Sequence, residues 1–228
     1  MHNEAGNAET LVREIAGTCA ALAPEIIVVD DASEDDTPAI LRALRAEVPE
    51  LRVLSHARNA GQSRAVRTGV LAARAPVIAT LDGDGQNPPG DIPRLYVRLH
   101  ETGAAMVGGE RRTRRDTAAK RLASRLGNRV RKRLLRDAAN DTGCGLKVFR
   151  REAFLRLPYF DHMHRYLPAL MRREGYPVEF LDVGHRARAY GASKYTNLGR
   201  LRVSVADLRG VMWLARRARP PGEVSELD

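Results

Sequence analysis

The sequence predicts an α/β domain, with a mainly parallel sheet covered by helices on both faces and a basic amphipathic helix near its C-terminal end. Three observations predict this fold class. Short apolar runs alternate with longer segments of helical period through the first half of the chain. Two of the apolar runs, at 26–29 and 77–81, lead into carboxylates, as expected where strands of an open α/β sheet meet a ligand. The length of 228 residues, 43% of them hydrophobic, suffices for one buried core.

In the first half, apolar residues three or four positions apart indicate helices, and short apolar runs between turn residues indicate strands. Leu11, Ile15 and Leu22 indicate the first helix in this way. The predicted elements are helix 8–22, strand 25–30, helix 36–47, strand 52–55, helix 60–74, strand 76–81, helix 90–101 and strand 104–108.

The first predicted helix has no strand before it. The strand at 25–30 therefore lacks a partner with which helix 8–22 could form a right-handed crossover. We expect one of three explanations: a start assigned too late, a truncated chain, or a vacant central position in the sheet. In the last case, strand 25–30 would have an unpaired edge.

The second half is strongly basic. The predicted elements there are helix 115–136, strand 146–149, a short helix 151–156, helix 164–174, strand 177–186 and helix 197–218. Residues 111–136, the first basic band, carry twelve Lys or Arg and one Asp, and residues 186–219, the second basic band, carry nine and one. The total net charge is +10, so the remainder of the chain is acidic. This distribution suits an acidic body and two basic bands that face an anionic surface.

The two bands predict peripheral contact with an anionic membrane on the cytoplasmic side. The first band resembles a helix with one apolar stripe, and a solvated basic helix is the plainer alternative. The second band is too interrupted by charge to span a bilayer, but it could lie among headgroups with Trp213 as an anchor. Nucleic-acid binding is disfavoured, because aromatic residues make up only 5% of the chain and none interleaves with the arginines as a stacking motif.

The strongest chemical signal is Asp82-Gly83-Asp84-Gly85-Gln86, which directly follows an apolar strand. The two glycines let the backbone turn so that both carboxylates can face one hard cation, with the Gln86 oxygen nearby. A polar turn without a ligand is the alternative. We predict a divalent cation, Mg²⁺ or Mn²⁺, that neutralises a diphosphate.

A second acidic cluster, 30–37, follows the strand at 25–30. Because ligands bind beyond the carboxyl ends of such strands, the two clusters are predicted to converge on one crevice. Asp30 and Asp31 should face the base and ribose of a nucleotide there. Capping of the next helix by Ser33 or Asp35 is the alternative role for this cluster.

Together these segments resemble the family 2 glycosyltransferases, which have the GT-A (Rossmann-like) fold. The likeness lies in 27–37, in Arg58-Asn59-Ala60-Gly61-Gln62 and in 81–89. Three later segments, 109–111, 141–151 and 191–195, resemble motifs of the polyprenyl-phosphate subgroup, which includes dolichol-phosphate mannose synthases and undecaprenyl-phosphate glucosyltransferases. Family members normally begin with a buried strand that leads into a motif ending in Asn-Glu. This sequence starts at Met1-His2-Asn3-Glu4, which already lies inside that motif.

The resemblance implies a set of site residues. The residues implied for the nucleotide sugar are Asn3, Glu4, Asp30, Asp31, Ser33, Asp35, Gly61, Gln62 and Asp82, and those for the metal are Asp82, Asp84 and Gln86. Arg111, Arg125, Ser193 and Lys194 would bring the acceptor phosphate to the donor, and Asp141 would orient the acceptor or the metal unless it only caps a turn. The implied reaction is a single inverting displacement, and a phosphate acceptor needs no general base because it is largely dianionic at neutral pH.

Three other functions remain open from sequence: a family 2 transferase with a saccharide or other hydroxyl acceptor, an inactive protein that binds nucleotide sugars, and a nucleic-acid module.

Cys19 and Cys144 match no metal or redox motif and favour a reducing cytoplasm. The six histidines show no ligand spacing and are interpreted as structural or surface residues. The predicted organisation is a catalytic domain at 1–190, an acceptor loop and interfacial helix at 191–219, and a tail at 220–228.

Overall fold

The computed structural model describes residues 1–111, 131, 133–135, 137, 139–187, 197–218 and 225–226, with only the backbone for 197–203. The strands are β1 (Ile26–Asp30), β2 (Leu51–Ser55), β3 (Val77–Thr80), β4 (Met106–Arg111), β5 (Lys147–Arg150) and β6 (Val178–Val183). The helices are α1 (Ala5–Thr18), α2 (Thr37–Leu44), α3 (Gln62–Ala72), α4 (Ile92–Thr102), α5 (Arg151–Leu155), α6 (Leu167–Arg173) and α7 (Asn197–Arg216). Most of the helix predicted at 115–136 lies outside the described residues.

The strands form two sheets. β1 and β2 pair in parallel, from Ile26 opposite Leu51 to Asp30 opposite Ser55. The other sheet has the order β3-β5-β4-β6, in which β5 is antiparallel to both neighbours and β4 is parallel to β6. β3, β4 and β6 thus share one direction, so the predicted mainly parallel sheet is confirmed, with β5 as the reversed strand.

Helices cover both faces of β1, as predicted. Ile26 and Val28 pack into a cluster with α1 and α2 that includes Leu41. On the opposite face α3 approaches so closely that a Cβ placed on Gly69 would lie 3.5 Å from a methyl carbon of Val29. Because side chains alternate along a strand, this strand is buried on both sides and is apolar at successive positions.

α7 lies against the body of the domain. Val211 is 2% exposed within the largest apolar cluster, which also holds the stacked Phe149 and Phe154 rings 5.1 Å apart. The Tyr166 hydroxyl donates a hydrogen bond to the carbonyl of Ser204 at 3.3 Å. No helix among the described residues is long and apolar enough to cross a bilayer.

Among the described residues, no strand lies between β1 and β3. Only Met1 pairs with the free edge of β1: its nitrogen donates to the carbonyl of Val29 at 2.6 Å, and its carbonyl accepts from the amide of Asp31 at 2.8 Å. A cavity of about 1010 Å³ continues from this point between the two strand edges. No described residue thus fills the sheet position between β1 and β3, and all three explanations expected from sequence remain open.

Local contacts shift several helix boundaries. Helix 8–22 instead begins at Ala5, and it breaks after Thr18 into a 3₁₀ turn at 20–22. Side-chain oxygens of Ser33, Thr37 and Asp35 accept hydrogen bonds from the amides of residues 3, 4 and 5, respectively, and hold the chain where the helix begins. Side chains from another segment thus start α1, which periodicity within the helix could not show.

Candidate functional site

The carboxyl ends of β1 and β3 lie on either side of Met1. Met1 bonds to the end of β1, and its Cα would lie 3.6 Å from a Cβ placed on Gly83, just beyond β3. The two acidic clusters, which begin at Asp30 and Asp82, therefore border one crevice. The predicted convergence of these clusters agrees with this arrangement.

Asp31 anchors the loop before α3. It is 4% exposed, and its carboxylate accepts hydrogen bonds from the amides of Ala60 at 2.9 Å and Gly61 at 2.8 Å. His56 Nδ1 lies 2.7 Å from the same carboxylate. Burial raises the pKa of the Asp31 carboxyl, but the hydrogen bonds from His56, Ala60 and Gly61 outweigh it and lower the pKa below its ordinary value. Asp31 is therefore ionised and shapes the loop, and its direct contact with a nucleotide stays a prediction.

Gly61 is needed where this loop turns into α3. Its φ is +84°, a left-handed conformation that residues with a Cβ rarely adopt. The next residue, Gln62, begins the helix, and its Nε2 donates to Asp82 Oδ1 at 2.6 Å. The loop held by Asp31 thus places the side chain that orients Asp82 across the crevice.

The other residues of the first acidic cluster hold the N-terminal segment. The Asn3 amide donates to Ser33 Oγ at 2.9 Å, and Asn3 Oδ1 accepts from the amide of Glu34 at 2.8 Å. Asp35 Oδ2 accepts from the amide of Ala5 at 3.1 Å. Asp35 Oδ1 also accepts from the amide of Thr37, the first residue of α2, at 3.0 Å. Asp35 thus contacts the starts of both α1 and α2, in agreement with the capping alternative, and Ser33 holds the segment before α1. Their predicted contact with the nucleotide is untested.

Asp82 is held in a crowded and electrostatically unfavourable position. A Cβ placed on Gly145 would lie 2.4 Å from its carboxyl carbon. Burial raises the pKa of Asp82, the negative charge of Asp84 raises it further, and Lys147 and Arg111 oppose the increase. A divalent cation would relieve the repulsion between the two carboxylates.

The residues present fit a cation that takes most of its ligands from elsewhere. In the described part of the chain no three His, Cys, Asp or Glu side chains cluster as a metal site. Asp82 and Asp84 instead offer two carboxylates on a turn in which Gly85 has φ +70° and the Gln86 amide donates to Asp84 Oδ1 at 3.2 Å. Mg²⁺ commonly binds through one or two carboxylates, with water and phosphate oxygens completing the octahedron.

At the end of β4, Arg111 and Asp141 form a forked ion pair. Arg111 Nε donates to Asp141 Oδ2 at 2.5 Å and Nη2 to Oδ1 at 2.8 Å, with both side chains largely buried. Burial opposes the charge on Arg111, and the bonds to Asp141 outweigh it and raise the pKa of the guanidinium. Asp141 also accepts from the amide of Gly143 at 3.2 Å. It therefore positions Arg111 and holds a turn, as the turn alternative predicts, and its predicted contact with the acceptor or the metal stays a prediction.

Two site residues were not predicted from sequence. Lys147, in β5, is buried, and its Nζ donates to the carbonyl of Cys144; burial lowers the pKa of its ammonium, opposed by Cys144, Asp82 and Asp141. His164 Nδ1 lies 2.7 Å from the buried Ser63 Oγ. Burial and nearby cations lower the pKa of His164 to about 3, so this imidazole is neutral.

Lys147 and His164 line a cavity of about 380 Å³ that also touches Asp82 and Gln62. A lysine between apolar residues of a strand was the available sequence signal for Lys147. His164 had no local signal, because its partner Ser63 is 101 residues away. Arg125, Ser193 and Lys194 lie outside the described residues.

A family model described as glycosyl transferase family 2 matches residues 1–157. The chain belongs to this family. An undecaprenyl-phosphate 4-deoxy-4-formamido-L-arabinose transferase from Pseudomonas syringae is 36% identical over 200 residues, which are 86% of this chain and 59% of the relative. A dodecaprenyl-phosphate galacturonate synthase from Rhizobium johnstonii is 32% identical over 228 residues, 97% of this chain and 67% of the relative. The chain thus spans about three fifths to two thirds of these relatives.

Two solved glycosyltransferase structures confirm the GT-A fold. A glucosyl-3-phosphoglycerate synthase from Mycobacterium tuberculosis in complex with Mg²⁺ and uridine diphosphate has a TM-score of 0.70 at 18% identity, covering 97% of this chain and 79% of that one. A mannosyltransferase from Pyrobaculum calidifontis in complex with GDP-Man and Mn²⁺ has a TM-score of 0.63 at 19% identity, covering 97% and 64%. Each structure contains both a divalent cation and a nucleotide or nucleotide sugar.

Proposed function

We propose that this family 2 protein transfers a sugar from a nucleoside-diphosphate sugar to a polyprenyl phosphate, with inversion at the anomeric carbon and with Mg²⁺ or Mn²⁺ bound. The observation that carries the proposal is the position of Asp82 and Asp84 on a turn at the end of β3, across the crevice from the acidic end of β1, where burial and the charge of Asp84 both raise the pKa of Asp82. The acceptor is proposed from the undecaprenyl-phosphate and dodecaprenyl-phosphate relatives.

Asp82, Asp84 and the side-chain oxygen of Gln86 would hold the cation. When bound, a divalent ion neutralises the charge that develops on a leaving diphosphate. Gln62 orients the Asp82 carboxylate through its 2.6 Å hydrogen bond. Asp30 and Asp31 would border the base and ribose, with Asp31 acting at least through the loop that it anchors.

The acceptor chemistry explains why a general base is not required. A phosphate monoester has a second pKa near 6 and is mostly dianionic at neutral pH. One of its oxygens can form the bond to the anomeric carbon while the bond to the leaving diphosphate breaks on the opposite face, so no proton has to be removed. The residues of the site then need to position the acceptor phosphate against the diphosphate sugar of the donor.

The cationic side chains near Asp82 support this positioning role. Arg111 is held rigidly by the forked bond to Asp141, and Lys147 lies in the wall of the 380 Å³ cavity. Arg125, Ser193 and Lys194 are proposed to complete the acceptor-phosphate site.

The exposed face of α7 supports peripheral contact with an anionic membrane. Trp213 is 57% exposed and Val205 is 42% exposed, and the Arg217 guanidinium lies 5.4 Å from the Trp213 ring centroid. Arg209 and Arg216 are also exposed on this helix. Cations beside exposed apolar side chains are typical of helices that lie in the headgroup region.

The test of the reaction is a transfer assay on the purified chain. UDP- and GDP-sugars would be combined with Mg²⁺ or Mn²⁺ and with either a short polyprenyl phosphate or a sugar hydroxyl acceptor, and products would be identified by mass spectrometry. A sugar phosphodiester of the polyprenyl chain is the expected product. Transfer to a hydroxyl but never to the phosphate would instead establish the saccharide-acceptor alternative, and nucleotide-sugar binding without any transfer would establish the inactive binding protein.

Membrane contact can be measured separately, because Trp213 is the single tryptophan of the chain. Its fluorescence should shift to shorter wavelength with vesicles containing anionic lipid, and high salt should weaken the effect. Vesicles of zwitterionic lipid are the control. An unchanged spectrum with anionic vesicles would remove the interfacial role of α7.

A further inference from the structure

His164 is held against the first turn of α3 by two contacts with one hydroxyl. It lies in a 3₁₀ turn, Met163–Arg165, just before α6. Ser63 Oγ, in the second residue of α3, lies 2.7 Å from His164 Nδ1 and also accepts a hydrogen bond from the backbone amide of His164 at 3.3 Å. Ser63 is 1% exposed, so its hydroxyl is shielded from water.

These two contacts determine which ring nitrogen carries the proton. Because Ser63 Oγ accepts the amide hydrogen, its own hydrogen needs an acceptor. Among the described residues, His164 Nδ1 is the acceptor within reach of that hydroxyl. A neutral ring has one N–H group, and a hydroxyl that donates to Nδ1 leaves this group at Nε2. Ser63 thus makes His164 an Nε2–H donor.

The Nε2 atom of His164 is open to a cavity. The described residues give it no hydrogen-bond partner. It is nevertheless not one of the buried unpaired side-chain atoms in that part of the chain, which belong to Arg67, Arg131 and Asp207. Nε2 is therefore accessible from the cavity of about 380 Å³ that His164 lines.

The segment that carries His164 is attached to α3 at a second point. The ring centroid of Tyr159 lies 3.8 Å from the guanidinium carbon of Arg64. This part of α3 also begins with Gln62, whose side chain orients the Asp82 carboxylate. The first turn of α3 therefore holds His164 and Asp82 in a defined position relative to each other, as a binding site requires.

The wall of this cavity suits a sugar next to a diphosphate. Asp82, the proposed cation ligand, lies in the wall. The other lining side chains include apolar ones and neutral polar ones, which fit the C–H faces and the hydroxyls of a sugar ring: Val66, Leu81, Leu167, Thr142 and Ser204. The volume lies within the range of roughly 300–1,000 Å³ that small-molecule sites occupy.

A neutral donor indicates a hydroxyl more than a phosphate. Charged donors make the stronger bonds to anions, and Arg111 and Lys147 supply such donors near Asp82. Burial and the charges of Lys147 and Arg165 hold the pKa of His164 at about 3, so the ring stays neutral beside these cations. The nucleoside-diphosphate end and the acceptor phosphate are both anionic, and the sugar between them carries neutral hydroxyls.

We propose that His164 Nε2–H donates a hydrogen bond to one hydroxyl of the transferred sugar, with Ser63 as the positioning residue that orients the ring. The inference rests on the proposed function, since it assigns the part of the nucleotide sugar that occupies the cavity. It also gives His164 a role in specificity: a site that bonds to a hydroxyl discriminates against a sugar that lacks it, because the donor is then left unpaired.

The tautomer of His164 can be tested without any substrate. Long-range ¹H–¹⁵N spectra of the unaltered chain distinguish protonated from unprotonated ring nitrogens, and comparison with His164→Asn identifies the signals of this ring. We expect a protonated Nε2 and an unprotonated Nδ1 at neutral pH. A proton on Nδ1, or on both nitrogens, would overturn the inference whether or not the protein transfers sugar.

The sugar contact is tested by ligand affinity, measured by calorimetry with Mn²⁺ and without acceptor. The ligands are UDP, GDP, UDP-glucose, UDP-galacturonate and GDP-mannose. His164→Asn keeps an amide that can reach Ser63 but is too short to replace Nε2–H, whereas the longer His164→Gln can place an N–H group near the Nε2 position. For at least one nucleotide sugar, His164→Asn should raise Kd about tenfold and His164→Gln about threefold or less, with Kd for the free nucleotide unchanged.

Two further measurements identify the contact. Among monodeoxy analogues of the sugar that responds, one should bind wild type about tenfold more weakly than its parent, yet bind His164→Asn as well as its parent does. Ser63→Ala should raise Kd for the same nucleotide sugar about threefold, because the ring is no longer oriented. An unchanged Kd in Ser63→Ala would overturn the positioning role of Ser63.

The remaining outcomes separate this inference from the proposed function. Equal losses for nucleotide and nucleotide sugar, or a Gln variant as weak as the Asn variant, would overturn the inference alone. An Asn variant with wild-type affinity for every nucleotide sugar but a higher KM for a short polyprenyl phosphate would assign His164 to the acceptor and overturn it too. A wild-type chain that binds none of the nucleotide sugars would refute the proposed function and this inference together.

Discussion

Replacing Gly145 by alanine should impair sugar transfer without unfolding the protein. The new Cβ would lie 2.4 Å from the carboxyl carbon and Oδ2 of Asp82 and 2.5 Å from Oδ1. Non-bonded atoms prefer separations of roughly 3.5 Å, so the carboxylate must retreat by about 1 Å. The obstacle is the end of a side chain and not backbone, so a rotation of Asp82 can accommodate the methyl group and the fold should survive.

The retreat of Asp82 has a predictable magnitude. It would break the 2.6 Å hydrogen bond from Gln62 and move one of the two carboxylates away from the proposed cation. A misplacement of about 1 Å at a reacting centre can cost roughly 100-fold in rate, which corresponds to about 2.7 kcal/mol of activation free energy. We therefore expect kcat for transfer to fall about 100-fold, with weaker binding of Mn²⁺.

The assay compares kcat at saturating nucleotide sugar with the melting temperature of each variant. Gly90→Ala is the matched control, since a Cβ there meets nothing within 4 Å. In an Asp82→Ala background, Gly145→Ala should add little further loss, because the group that it would strike is gone. Wild-type kcat in the single variant, or an equal additional loss in the double variant, would refute the reasoning.

Four further predictions follow from the site. Asp84→Ala, or chelator added to the unaltered chain, should abolish transfer with little change in melting temperature; full activity in chelator would contradict the metal proposal. Asp31→Asn should destabilise the fold by about 1–3 kcal/mol at pH 7. Because folding lowers the pKa of Asp31, the stability that its carboxylate contributes is complete above about pH 4 and is lost as the pH falls through the folded-state pKa. A difference in unfolding free energy between wild type and variant that does not narrow in acid would contradict this. Arg111→Lys should lower kcat about tenfold, since lysine cannot replace the fork to Asp141; unchanged kcat would show that the fork is dispensable. Lys194→Ala should raise KM for a short, water-soluble polyprenyl phosphate while leaving KM for the nucleotide sugar unchanged, and equal effects on both would argue against a phosphate contact.

Local patterns were sufficient for the main elements of the fold. The apolar runs at 26–29 and 77–81 became β1 and β3, and the acidic residues after them border one crevice. These features depend on residues close together in the chain, where strand period and turn chemistry act directly. The reversed direction of β5 was not predictable in this way, because strand direction depends on which edges pair.

Side-chain roles at the site were less predictable, because the decisive partners are remote in sequence. Asp31 was predicted as a nucleotide ligand, and its carboxylate is engaged by residues 25 to 30 positions away. His164 was interpreted as structural or surface, and it lines the cavity beside Asp82. Burial changes the protonation of such groups, and burial is a property of the assembled fold.

The sequence by itself determined the α/β class, the two acidic strand ends and the distribution of charge, since each follows from local composition or from the order of elements. The tertiary structure decided that Asp141 holds Arg111 in a fork, that Gly145 leaves room for Asp82, and that Met1 lies between the ends of β1 and β3. These depend on distances of a few ångströms between segments tens of residues apart, which only the packing of the chain sets.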